Sequence, residues 1–173
     1  PGFFKMVNCR LLGPLKDAIY FETETGDVEL RENIFDSPGI GIHFAGNAAI
    51  WSDFIIANNT FYKCSQAGVQ LEAMPAANVG LAARTGFAFH RNLFAQGNGP
   101  ELVVLKDYDD EKFDPFLSGS GVEQNWSDRQ QPADPAKGER ELVHKAIVGA
   151  QHRPAKIEFA SENRNSDDFL TLK

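Results

Sequence analysis

"NIFDSPGIGI" (Asn33–Ile42) and "NNTFYKCSQAGVQL" (Asn58–Leu71) share one layout: an Asn, a spacer, a Phe, then a Gly followed by alternating apolar residues. The layout recurs on both sides, in "FKMVNCRLLG" and in "FAFHRNLFAQ". Setting Cys9, Asn33, Asn59 and Asn92 in one column places Leu11, Phe35, Phe61 and Phe94 in a second. Before that column, Phe4, Val28, Phe54 and Phe87 align, as do Met6, Leu30, Ile56 and Phe89. The steps between repeats are 24, 26 and 33 residues. Apolar and polar residues alternate with period two, which is a strand pattern, and no helical period fits.

A second strand follows each block, at "AIYFE", "GIGIHF", "GVQLEA" and "ELVVLK". Its inward residues are read as Ile19 and Phe21, Ile40 and Ile42, Val69 and Leu71, Leu102 and Val104. The interval from the Asn/Cys column to the first of each pair is 10, 7, 10 and 10 residues. A strand pair repeated every 20 to 30 residues, like stacked on like, predicts an all-β parallel solenoid of about four coils. Asn suits the bends because it tolerates the left-handed conformation and its amide can satisfy backbone groups the bend would bury. The Phe column predicts an internal aromatic stack.

These ladders resemble those of the right-handed parallel β-helix family, the pectate-lyase-like superfamily. The resemblance covers roughly residues 3–107 and is carried by the ladder columns. An immunoglobulin-like sandwich is the alternative; it explains short strands but not Asn-x-Phe recurring in register. The resemblance implies an extracytoplasmic or secreted protein that acts on polysaccharides along an outward strand face. Lyases of that family pair a calcium-binding Asp group with an Arg or Lys base. Here Lys106 and His90 are the nearest basic residues and neither sits in a matching motif, so no catalytic residue carries over.

The chain divides into coils (1–107) and a tail (108–173) expected to cap and wrap them. "DPAKGERELVHKAIVG" predicts a short helix from Asp134 to Gly149, with Pro135 at its first turn and an apolar stripe. Ala155–Ser161 suggests a strand, and Trp126 an anchor against the last coil. The insertion Ala73–Thr85 is the longest between coils and a candidate groove wall. At the other end the chain enters a ladder block at Phe3, which predicts further coils, another domain or a stacked subunit on that edge.

The outward columns of the second strand carry the candidate chemistry. One holds Tyr20, Gly41, Gln70 and Val103; the next holds Glu22, His43, Glu72 and Leu105. Glu22 and Glu72 would flank His43 one rung to each side, roughly 9–10 Å apart, near the upper separation used by inverting glycosidases. Tyr20 and Gln70 are candidate binding residues. The plain alternative is a polar ladder that holds sheet register. The acidic run with Asp107, Asp109, Asp110, Glu111 and Asp114 suits calcium by donor type, but Lys112 stands where an EF-hand needs Gly.

Composition narrows the classes. A net charge of −7 repels phosphate backbones, so nucleic acid is not expected as a partner. No apolar run approaches 18 residues, so no helical membrane span is predicted. Cys9 and Cys64 lack metal-ligand spacing and are expected as buried free thiols. The N-x-S/T triplets at Asn58 and Asn125 are expected by chance. The functional expectation is a binding or scaffold module that contacts glycans or a protein partner. A polysaccharide hydrolase or lyase and a self-stacking assembly unit are the alternatives.

Overall fold

The computed structural model describes residues 3–22, 27–45, 49–50, 54–72, 74–75, 87–99, 101–105, 124–128, 139–140, 153–154 and 156–173. The chain lays down strands coil by coil. The first coil holds β1 (Phe4–Val7), β2 (Arg10–Leu12) and β3 (Asp17–Phe21). The second holds β4 (Val28–Arg31), β5 (Ile34–Asp36) and β6 (Ile40–Phe44), with β7 (Ala49–Ile50) after it. Next come β8 (Phe54–Ala57), β9 (Thr60–Tyr62), β10 (Ala67–Leu71) and β11 (Met74–Pro75). A fourth coil holds β12 (Phe87–His90), β13 (Leu93–Ala95) and β14 (Leu102–Leu105). The tail adds β15 (Trp126–Ser127), β16 (Glu139–Arg140) and β17 (Arg153–Pro154).

Like strands stack on like. The first sheet runs β1-β4-β8-β12, the second β2-β5-β9-β13-β15-β17, and the third β3-β6-β10-β14-β16. Every pairing is parallel except β14 with β16. The loop strands β7 and β11 pair in parallel as well, Met74 with Ala49 and Pro75 with Ile50. This is the arrangement of a parallel β solenoid, and it rules out the antiparallel sandwich.

The Asn column works as expected, with one correction. Asn33, Asn59, Asn92 and Asn125 are buried in line. The Oδ1 of Asn59 accepts from both the backbone N–H and the Nδ2 of Asn33, each at 3.0 Å. Asn33 gives its other amide proton to the Met6 carbonyl at 2.9 Å. The pattern repeats from Asn59 to Asn92 and from Asn92 to Asn125. Donors and acceptors are therefore used up in a place water cannot reach. The ladder Asn does not itself bend left-handed; the residue before it does. Asn8, Glu32, Asn58, Arg91 and Gln124 have φ of 54–57°. A second left-handed residue ends the next strand, at Ser37, Lys63 and Gln96.

The rung at Asn125 continues the ladder past residue 107, inside the stretch expected to be tail. Asn125 donates to the Phe89 carbonyl at 2.8 Å, and β15 pairs with β13. Trp126 is exposed there rather than an anchor, and Ser127 takes the inward place beside Phe94.

Between the sheets lies a continuous apolar core. Phe35, Phe61 and Phe94 stack at 4.8 Å per step, and Phe21 stacks on Phe44 at 4.7 Å. Two glycines let the third sheet approach these rings: a Cβ on Gly68 would lie 2.3 Å from Phe94, and one on Gly41 2.6 Å from Phe61. Cys64 is in this core, where burial pushes its thiol up to about 12. Cys9 is exposed, contrary to expectation.

Residues 156–173 lie along the outside of the second sheet. Phe159, Phe169 and Leu170 pack on Tyr62, Leu93 and Ala95. Arg164 forms an ion pair with Asp36, which is otherwise buried. Phe159 and Ser161 form isolated bridges to Leu172 and Phe169 rather than the expected strand. No helix occurs among the described residues. Of the stretch expected as helix, Glu139–Arg140 is strand, antiparallel to β14, and the remainder lies outside the described residues.

Candidate functional site

The outward face of the third sheet holds the candidate residues in a register different from the expected one. His43 is paired with Tyr20 on one side and Gln70 on the other. Ile42, not Ile40, lies level with Ile19 and Val69. Counting from the Asn column, Ile42 gives an interval of 9 where the other coils have 10, a shorter deletion than Ile40 demands. The row is therefore Tyr20, His43, Gln70, Val103.

His43 is only 8% exposed although it faces outward. Its Nδ1 lies 3.1 Å from Asp17 Oδ1, and its Nε2 lies 3.1 Å from Glu72 Oε1. Gln70 Nε2 donates to the same Glu72 oxygen at 2.7 Å. Tyr20 meets the imidazole edge-on at 5.0 Å and is itself 49% exposed. The histidine thus has two carboxylates, as the sequence suggested, but one of them is Asp17. Glu22 lies exposed beyond the end of β3, and the bonds of His43 do not reach it.

Asp17 escaped the sequence reading because both it and Tyr20, three residues apart, reach His43. Strict period-two counting puts such residues on opposite faces. The shorter deletion just described would have set His43 level with Tyr20 and Gln70, but it puts Asp17 opposite Ile40 and carries no signal for that contact.

Both ring nitrogens of His43 have close partners: Asp17 on Nδ1, and on Nε2 both Glu72 and the Gln70 amide, the latter at 3.2 Å. The Asp17 side chain is 10% exposed and Glu72 32%, so Glu72 is the carboxylate a ligand can touch. What the face offers outward is the Tyr20 ring, the Gln70 amide and Glu72. The calcium candidates Asp107, Asp109 and Asp110 lie outside the described residues.

A concavity of about 430 Å³ lies elsewhere, where the tail crosses the second sheet, between Asp36, Tyr62, Lys63, Glu162 and Arg164. Its charges are already matched. Tyr62 donates to Glu162, and Gln96 donates to it at 2.9 Å. The Tyr62 hydroxyl, then the Gln96 amide, holds the Glu162 carboxyl below its usual range. Burial, then Glu162, pushes the Tyr62 hydroxyl above its own. This cleft reads as the seam of tail docking.

Comparison with protein-family models, with curated proteins and with solved structures finds no match to this chain.

Proposed function

We propose that the chain is a binding module of the right-handed parallel β-helix type, acting outside the cytoplasm and contacting an extended glycan along the outward face of the third sheet. One observation carries the reading: Tyr20, His43 and Gln70 stand in register on adjacent strands, with an exposed ring at one end and a carboxylate-clamped imidazole in the middle. An exposed aromatic beside amide and carboxylate groups suits a sugar, whose C–H face stacks on the ring while its hydroxyls bond the polar groups. Strand rungs repeat at about 4.8 Å, so an extended ligand meets several at once. The compartment follows from analogy with the family the ladders resemble.

The enclosure of His43, 8% exposed with partners on both ring nitrogens, supports binding over turnover. A polysaccharide hydrolase or lyase is the second reading, and it rests on Glu72, the more accessible of the two carboxylates on His43. One experiment separates them. The chain is titrated with a panel of neutral and uronate polysaccharides while product release is followed, with and without calcium. Binding without products, lost in Tyr20→Ala, supports the module. Products that vanish in Glu72→Gln would move the assignment to an enzyme. Binding unchanged in Tyr20→Ala would remove this face from either role.

A further inference from the structure

Gln70 fixes what the row can offer a ligand. Its side chain holds one amine and one carbonyl oxygen. The Nε2 lies 2.7 Å from Glu72 Oε1 and 3.2 Å from His43 Nε2, so the amine is turned into the cluster and Oε1 is the free end of the amide. With the imidazole neutral and its proton on Nδ1 beside Asp17, both Gln70 hydrogens are taken, one by the ring and one by Glu72. With the imidazole charged, its Nε2–H goes to Glu72 as well, and the Gln70 amine still faces the carboxylate. In either state the donors of His43 and Gln70 point into the cluster.

Acceptors remain for a ligand. Among the described residues no donor reaches Glu72 Oε2 or Gln70 Oε1, and both side chains are partly exposed. The strands that carry the row, β3, β6, β10 and β14, contain no Lys or Arg. Cations stand at the margins of the sheet: Lys16 precedes β3, and Arg140 enters with β16, opposite Val104.

We infer that this face selects a glycan of amino sugars with protonated amines. The inference rests on the reading of the face as a glycan site and names the class of sugar. An ammonium brings donors and no acceptor. Its bond to ionised Glu72 is charge-assisted, roughly twice as strong as a neutral one. A hydroxyl also donates to these acceptors, so a neutral sugar binds more weakly. A uronate or a sulfated sugar brings acceptors at its charged group and meets Glu72 as a like charge. The net charge of −7 works in the same direction.

Calorimetric titration of the full chain with three oligomers of matched length tests this: glucosamine, N-acetylglucosamine and galacturonate, at a pH that keeps the sugar amine protonated. The expected affinities fall in that order, and the first weakens as salt is added. Glu72→Gln should narrow the advantage of the amine over its N-acetylated form about tenfold, ~1.4 kcal/mol. Glu158→Gln makes the same change in net charge on the tail and should leave that advantage as it is. Equal narrowing by both variants would assign the preference to overall charge and overturn the inference. An N-acetylated or galacturonate oligomer that binds as tightly as the amine would overturn it too, and leave the glycan reading standing. Binding of none of the three removes that reading and the inference with it.

Discussion

The Asn bend and the outward row of the third sheet differ in one respect that governs everything else. Along the bend, each rung meets the same surroundings: a carbonyl to one side, a backbone N–H and an amide from the coil before, and no water. The same residue therefore solves every rung, and Asn33, Asn59, Asn92 and Asn125 repeat. Along the row the surroundings change from rung to rung, Tyr20 being 49% exposed, His43 8% and Val103 3%, and the residues are Tyr20, His43, Gln70 and Val103. Interior repetition measures how uniform the surroundings are. Exterior variety is where function has room to act.

The largest effect should come from breaking the bend. Asn59→Ala strands the Asn33 backbone N–H, one Asn33 amide proton and the Leu30 carbonyl. At about 1–3 kcal/mol for each buried group left without a partner, the loss should be about 3 kcal/mol or more. Urea denaturation would measure it. A loss below 1 kcal/mol would mean water enters the bend and the ladder is not what holds the coils in line. Next comes Gly68→Ala, which drives a methyl into the Phe94 ring and the Glu101 carbonyl. Overpacking of this kind costs about 1–3 kcal/mol, and the same measurement ranks it against the ladder variant.

A third change should act in the opposite direction. Glu32 is exposed and holds φ of 57°, where a Cβ is penalised and glycine is not. Glu32→Gly should stabilise by up to about 1 kcal/mol, the relief of strain being partly offset by greater freedom in the unfolded chain. The five residues at this bend position are Asn8, Glu32, Asn58, Arg91 and Gln124. No single letter marks it, so the left-handed turn was assigned to the conspicuous Asn beside it. The rung at Asn125 was missed for a related reason. Its second column holds Ser127 in place of Phe, the hydroxyl bonding Glu101 at 2.6 Å, so the Asn-x-Phe signature is absent. Repetition made the sheets, the Phe stack and four rungs legible. Where one rung departs from the repeat, the sequence falls silent.

On the row the prediction is a separation of two readouts. Tyr20→Ala should change stability by less than about 0.5 kcal/mol, since half the ring already faces water, while glycan affinity drops. His43→Gln, which keeps one donor for the two carboxylates, should cost about 1 kcal/mol. If Tyr20→Ala destabilises as much as His43→Gln, the row is a structural ladder like the bend, and the contrast between inside and outside fails. Tyr20, Gln70 and Val103 were legible as one outward column, but His43 was set in the neighbouring one because the second coil was read with an interval of 7 instead of 9. Asp17, the partner of His43, was not legible, because reaching His43 from three residues before Tyr20 needs a departure from ideal pleating that composition does not encode.

The smallest effect concerns the tail, which covers the second sheet. Glu162 is depressed in the folded chain by the Tyr62 hydroxyl and the Gln96 amide. Its contribution is therefore present above the unfolded value of 4.5 and is lost as pH falls through the lower folded value. The side chain is 47% exposed, so solvent screens most of the effect. Thermal melts of the wild type and of Glu162→Gln should differ slightly at neutral pH and converge below pH 4.5. Lys63, 3.8 Å from the carboxylate, adds a salt-sensitive part, so the gap should narrow with added salt too. A gap independent of pH would show that Phe159, Phe169 and Leu170 hold the tail unaided. The covered sheet would then be kept by the same apolar packing as the core, and polar selection would belong to the row at His43.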